Sequence, residues 1–482
     1  MKQKVINNFL WRFMERCGAQ GVSLVVSVVL GRILGPSVYG TVALVSVFMI
    51  IMQVFVDSGM GNALIQKKDA DDLDFSSVFW FNMAMCGVLY IIAFLAAPFI
   101  ASFYRVPELT PIVRVLSLML VVSGIKNVQQ AYVSRHLMFR IFFFSTLVGT
   151  IAAAIVGIAM ACMGFGVWAL VTQMLVNTAV DTAILWITVD FRPKREFSSE
   201  RLKALFSYGW KLLASGLLDT VYNQLRQLII GRMYAKADLG QYNQGEKFPQ
   251  FIVTNINSSI DSVLLPTMSN AQDDPAAVRS MTRRAIKTST YIIMPFMMGL
   301  AVCAQPLVRL TLAEEWLPCV PFLRIFCFTF AFYPIHTANL NAIKAMGRSD
   351  LFLILEVIKK AAGLVAILST MWISVMAMAY SLFFTSVFSQ IANAAPNKKL
   401  LGYSYLSQLR DMLPQIGMSL AMGAVVYVVG LFGLNDILTL AIQIPLGIAA
   451  YVGMSKAFHV ESYTYVLDTV KSYLSKAKTK ES

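Results

Sequence analysis

Charge is what this sequence has least of. Only 14% of its residues are Asp, Glu, Lys or Arg, against about 25% in a soluble domain, too few to cover the chain in water. Histidine is nearly absent, and His136, His336 and His459 lie too far apart to suggest a site. The six cysteines (Cys17, Cys86, Cys162, Cys303, Cys319 and Cys327) stand singly in apolar segments, without a CxxC pair or His/Cys ligand spacing. That argues against a disulfide framework or a zinc site and for small buried hydrophobes. No GxxxxGK[ST] run occurs, and no insertion of about 50 residues, the lower size of a folded domain, interrupts the apolar pattern. A nucleotide-driven engine within this chain is therefore not expected.

Apolar sequence is what is abundant: 57% of the residues are hydrophobic. Stretches of about 20 apolar residues, enough to cross a bilayer core, recur along the whole chain. The expected fold class is an all-α polytopic membrane protein of about fourteen transmembrane helices. They are placed near 9–31, 38–63, 77–102, 109–131, 141–163, 166–189, 205–230, 239–266, 288–311, 318–342, 351–371, 373–394, 412–432 and 435–455. The eighth is the most polar. Arg12, Glu15 and Arg16 break any signal-peptide core, so the first span reads as uncleaved.

The net charge of +14 would point to nucleic acid in a soluble protein. Here basic loops account for it, and no nucleic-acid partner is expected. With the N-terminus in the cytoplasm, cytoplasmic loops collect basic residues such as Lys67, Lys68, Arg192, Lys194, Arg283, Arg284, Lys398 and Lys399. The other side keeps Arg32, Arg105, Arg232, Lys236 and Arg309, a split of roughly five to one. An even number of spans with both termini cytoplasmic follows. "DADDLD" (Asp69 to Asp74), beside Lys67 and Lys68, reads as a solvated turn.

The chain also echoes itself. "LGRILGPSVYG" (Leu30 to Gly40) returns as "IGRMYAKADLG" (Ile230 to Gly240), and "PIVRVL" (Pro111 to Leu116) as "PFLRIF" (Pro321 to Phe326). "AAP" at Ala96 and "AQP" at Ala304, then Gln130 and Asn341, continue the series at offsets drifting from 200 to 211. A duplicated block of six spans gives two lobes of the same orientation, pseudo-two-fold related about the membrane normal, an architecture suited to alternating access. The expected organisation is an N-lobe at 1–190 (spans 1–6), a cytoplasmic linker at 191–204 and a C-lobe at 205–395 (spans 7–12). Spans 13–14 at 396–457 and a basic cytoplasmic tail at 458–482 follow. Gly31, Arg32, Gly40, Gly231, Arg232 and Gly240 mark the repeat as structural turns.

Charges inside spans are costly and tend to face water or a partner. Arg12, Glu15 and Arg16 share one face of span 1, and Lys211, Asp219 and Arg226 share one on span 7. Arg12, Arg16, Lys211 and Arg226 are the candidate set for an anionic headgroup, against the plainer reading that some reach to the interface. Glu15, Asp57, Asp219, Glu246 and Asp261 are candidates for ion coupling or charge balance. Lys247, Glu356, Lys359 and Lys360 are further cavity candidates. Asn and Gln on spans 7 and 8, among them Asn223, Gln224, Asn255 and Asn257, offer a polar surface for a glycan. No metal site is expected.

The block "LGRILGPSVYG", followed by "VDSGMGNALIQKKD" (Val56 to Asp69), resembles the polysaccharide-transport branch of the MOP (multidrug/oligosaccharidyl-lipid/polysaccharide) flippase superfamily. Within it the chain is similar to bacterial flippases of the colanic-acid-exporter type. The resemblance covers nearly the whole chain and is most specific over residues 30–69. It implies a MATE-like, two-lobed inner-membrane protein that is not an enzyme. Its expected partner is an undecaprenyl-pyrophosphate-linked oligosaccharide, moved outward with an H⁺ or Na⁺ gradient and no cofactor. Membrane lipid, a polysaccharide polymerase and export machinery are the other expected partners, and a monomer the expected working form. A MATE-like drug antiporter and a membrane glycosyltransferase or polymerase remain the alternatives. The first should have an acidic cavity and the second a sizeable catalytic loop.

Overall fold

The computed structural model describes residues 2–57, 60–67 and 69–468. The side chains of residues 2–17, 62, 66, 204, 208, 259 and 262 are outside that description, so Arg12, Glu15 and Arg16 lie outside it as candidate site residues. All regular structure among the described residues is helical. The chain divides into two compact units, 1–240 and 241–482.

The first unit holds α1 (Lys2–Asp57), α2 (Met60–Gln66), α3 (Asp72–Tyr104), α4 (Leu109–Leu116), α5 (Leu118–Arg135), α6 (Phe139–Cys162), α7 (Val167–Thr188) and α8 (Ser199–Met233). Helix α9 (Lys236–Ser269) begins there and continues into the second unit. The second unit adds α10 (Pro275–Val302), α11 (Ala304–Thr311), α12 (Cys319–Ala331), α13 (Tyr333–Ala345), α14 (Ser349–Thr370), α15 (Val375–Leu401), α16 (Tyr405–Gly430) and α17 (Asp436–Ala457).

Ten helical stretches among the described residues are long and apolar enough to cross a membrane, which makes this a multi-pass membrane protein. The difference from the fourteen segments read in the sequence has physical causes. The first two segments both fall within α1, which is two helices meeting at a break at Gly35 (φ 70°, ψ 171°) before Pro36. That backbone region excludes ordinary L-residues, and a proline within a helix removes a hydrogen bond and kinks it. Helices α8, α9 and α14 are long enough, but their sequences carry the embedded charges and amides.

In the first unit α6 lies against both α1 and α7. Gly149 and Gly157 let α6 close on α7, a Cβ there falling about 3.1 Å from Asn177 and 3.0 Å from Gln173. Small residues are how helices associate where lipid removes the hydrophobic drive. A tighter approach joins the two halves of the repeat. A Cβ on Gly40 would stand 1.8 Å from the Lys236 carbonyl oxygen, and one on Gly240 would stand 2.2 Å from the Pro36 carbonyl oxygen. Arg232 lies over the Phe103 ring at 5.3 Å, Gly31 is buried and Arg32 exposed, and a Cβ on Gly231 would meet the Leu44 side chain at 2.2 Å.

The acidic turn is solvated at Asp69, Asp71 and Asp72, as expected, but it is also an ion-paired cap with Asp74 buried beneath it. Asp71 caps α3 through a capping box with Asp74, and Asp74 is 0% exposed. Lys67 meets Asp74 at 2.6 Å, Arg201 meets Asp71 at 2.6 Å, and Lys194 meets Asp72 at 3.1 Å. The irregular segment between α7 and α8 is stitched to the same helix: the Lys194 and Ser198 amides donate to the Ser76 and Ser77 hydroxyls, and the Trp80 indole donates to the Lys194 carbonyl. Helix N-termini favour carboxylates because their first amides lack partners, and the linker's basic residues complete the neutralisation.

Candidate functional site

Two polar cavities, one in each unit, fall at matching places in the sequence repeat. In the second unit, two stripes line a cavity of about 360 Å³. One is Gln250, Thr254, Asn257 and Asp261 on α9, spaced four, three and four. The other is Tyr333, Thr337, Asn341 and Lys344 on α13. Such spacings place side chains on one helical face. Val253, Ser258, Phe330, His336 and Leu340 complete the lining.

Three features define its chemistry. First, Asn341, 1% exposed, donates its amide to an Asp261 carboxylate oxygen at 2.6 Å, and that carboxylate retains capacity for further donors. Second, His336 is held by the Asn393 amide at 3.0 Å. Behind it, the Asn339 and Gln408 amides and Asn397 form a buried network, with Asn339 donating to Gln408 at 2.7 Å and Asn397 to Asn339 at 2.7 Å. Third, Asn257 is 6% exposed, and both its amide nitrogen and its carbonyl oxygen lack a hydrogen-bond partner. A buried polar group left unpaired costs about 1–3 kcal/mol, so this amide stands ready for a ligand that both donates and accepts. Asp261 and Lys344 supply one charge of each sign, so the lining is suited to hydrogen bonding more than to a strong ion.

The first unit's counterpart is lined by Asp57, Gly61, Ile65, Asn127, Gln130, Ala131 and Ser134, also about 360 Å³. Asp57 and Asp261 are separated by 204 positions, inside the drift of the repeat, and Gln130 and Asn341 are the pair already aligned. Here the lining asparagine has partners for both its donor and its acceptor. Asn127 donates to the Val56 carbonyl at 3.2 Å and accepts from Asn82 at 3.3 Å, and Gln53 donates to Asp57 at 3.2 Å. Nearby, Lys126 on α5 pairs with the buried Asp181 on α7 at 3.2 Å.

Among the other residues singled out in the sequence, Lys211 and Asp219 are exposed on α8 and Asn223 donates to Asp219 at 3.2 Å. Arg226 is 7% exposed. Fifteen residues at about 1.5 Å each set Lys211 and Arg226 about 22 Å apart along one helix, so they can serve a headgroup in succession but not together. Glu246 and Lys247 are partly buried on α9. Glu356 and Lys359 form a pair at 2.5 Å on α14, with Lys360 half-buried beside them. Among the described charged residues of the set, Asp57 and Asp261 line the polar cavities, and Asn257 lines the second with Asp261.

Asp181, Asn127, Asn341 and His336 were not identified as site residues from sequence. Single amides and a lone histidine carry no signal until the fold brings them together. The four-three-four spacing from Gln250 to Asp261 was the available clue.

The architecture and the sequence both have relatives. A TM-score of 0.73 relates the chain to the lipid II flippase MurJ in an inward closed conformation, at 15% identity over 95% of this chain and 99% of that one. An inward-facing MATE-family multidrug resistance transporter of the MOP superfamily gives 0.59, at 15% identity over 83% and 95%. These likenesses concern the fold. In sequence, the chain is 23% identical to the succinoglycan biosynthesis transport protein ExoT of Rhizobium meliloti (strain 1021), over 85% of this chain and 81% of that protein. It is 25% identical to the lipopolysaccharide biosynthesis protein WzxC of Escherichia coli (strain K12), over 68% of this chain and 67% of that protein. The family model described as polysaccharide biosynthesis protein matches residues 29–321. The chain therefore belongs to the polysaccharide biosynthesis protein family, with a fold like those of the lipid II flippase and the MATE transporter.

Proposed function

We propose that this protein is a flippase that carries undecaprenyl-pyrophosphate-linked oligosaccharide repeat units across the bacterial inner membrane for polysaccharide export. The observation that carries the reading is a hydrogen-bonding cavity set into the helices of a multi-pass member of a polysaccharide biosynthesis family. Amides and hydroxyls suit a glycan, which binds through paired donors and acceptors. Arg12, Arg16, Lys211 and Arg226 supply cationic partners for a pyrophosphate, and the isoprenoid tail stays in lipid. The two sequence repeats work by alternating access, driven by an H⁺ or Na⁺ gradient, with both termini cytoplasmic and the monomer as the working form. The relatives' names, one a transport protein for succinoglycan biosynthesis, support this reading.

The test is a deletion strain. Lipid-linked repeat units should accumulate on the cytoplasmic face of its inner membrane, and plasmid-borne protein should clear them. Normal polymer export without accumulation would refute the assignment.

A further inference from the structure

The cavity between α9 and α13 and its first-unit counterpart each hold a buried asparagine, in opposite states. Asn127 spends both its donor and its acceptor within the protein, whereas Asn257 spends neither. A ligand that replaces water at such a group must match its chemistry or leave it unpaired. A bare cation would satisfy only the carbonyl oxygen and leave the amide N–H groups unpaired. A phosphate would satisfy only the N–H groups and would face the Asp261 carboxylate. A hydroxyl donates and accepts at once, and two neighbouring hydroxyls can engage the amide side by side.

We infer that this cavity is a subsite for one neutral pyranose ring of the transported glycan, its hydroxyls held by Asn257 and Asp261. The inference rests on the flippase reading and deepens it. Asp261 lies one turn from Asn257 on the same face and accepts from a second hydroxyl, while Asn341 fixes its orientation from the opposite side at 2.6 Å. Phe330 and Tyr333 give the cavity aromatic surface, against which the C–H face of a sugar packs. Asp261, His336, Lys344 and Tyr333 are the titratable groups of the lining, and the Glu356–Lys359 pair lies on the adjoining helix α14.

The experiment uses the full-length protein in lipid nanodiscs, with saturation-transfer NMR against methyl glycosides of glucose, galactose, N-acetylglucosamine and glucuronic acid. NaCl and inorganic pyrophosphate serve as separate arms read by thermal shift. Asn257→Leu removes the unpaired amide without adding a buried polar group, so it should fold; Asn257→Gln retains the chemistry at a longer reach. At least one neutral glycoside should bind wild type at millimolar concentration. Asn257→Leu should weaken it fivefold or more, with Asn257→Gln in between. Failure of every neutral glycoside to bind, or unchanged binding by Asn257→Leu, overturns the inference, as does protection by NaCl or pyrophosphate that Asn257→Leu abolishes. The deletion strain separates the two readings. Cytoplasmic accumulation there, with full complementation and unchanged sugar binding by Asn257→Leu, removes the subsite and leaves the flippase. Absence of accumulation removes the flippase whatever the cavity binds.

Discussion

Gly40 and Gly240 exchange places. Each occupies the space above the carbonyl four residues before the other, Gly40 on Lys236 and Gly240 on Pro36, and a Cβ on Gly240 would also stand 3.2 Å from the Gly40 amide nitrogen. Reciprocal contact of this kind is what a two-fold relation between equivalent segments produces. Because the opposing atoms are backbone, they cannot swing aside. Gly40→Ala and Gly240→Ala should each destabilise the protein by about 1–3 kcal/mol, the scale of overpacking in a tight interior. A melting temperature within about 1 °C of wild type, the scale of experimental error, for both variants would show that the helices separate freely there.

The buried pair of Lys126 and Asp181 gives a second test. Lys126→Met leaves a carboxylate buried without its cation, at a cost of about 3 kcal/mol or more. Lys126→Met combined with Asp181→Leu removes both charges and should recover most of that loss. A double variant as unstable as the single one would deny the coupling.

Acid should loosen the clasp at the start of α3. Asp71 titrates below the usual carboxylate range because the Asp74 backbone amide and then the Arg201 guanidinium donate to it. A depressed carboxyl stabilises the fold above its unfolded value, roughly pH 4, and loses that contribution as pH falls through the lower folded value. The melting temperature of wild type should therefore drop below about pH 4 more steeply than that of Arg201→Gln. Identical slopes would mean that Arg201 is not the partner that matters.

Orientation can be read with thiol chemistry. Cys162, at the end of α6, is exposed, whereas Cys86, Cys303, Cys319 and Cys327 are buried. With Cys17→Ser as background, a membrane-impermeant maleimide should label Cys162 from the periplasmic side of intact cells. Labelling only after the membrane is opened would invert the proposed topology.

The headgroup set is tested by export. Arg226→Gln and Lys211→Gln, and likewise Arg12→Gln and Arg16→Gln, should each reduce polymer export tenfold or more, about 1.4 kcal/mol of lost interaction. Membrane levels should stay unchanged. Full export in all four would remove the set.

Much of the fold was legible because apolar run length and the spacing of echoes are local properties. The break between the first two segments was legible too: Gly35 and Pro36, read as a turn, are where α1 leaves the helical region. Asp57 and Asp261 were visible as carboxylates in apolar surroundings. Asn257 was visible as one polar residue among many, but its partner wall on α13 is some eighty positions away, and the lack of an internal partner is a three-dimensional fact. The buried Asp74 of the acidic turn, among exposed neighbours, was missed for the same reason. The turn's cation Arg201 is 130 residues distant from Asp71, so in sequence the aspartates look destined for water.

The segment that joins α7 to α8 has a practical consequence. Its run of Arg192, Lys194 and Arg195 has the composition of a tryptic cleavage site. Yet nicking requires chain that can leave its neighbours, and here two main-chain amides and one carbonyl are engaged by Ser76, Ser77 and Trp80. The strand of chain is fastened along its length, more seam than tether. A reporter or epitope inserted at this point would unpick the start of α3 along with the connection. The turn at Gln272 and Asp273, whose side chains are not bound into α3, is the better place to open the chain.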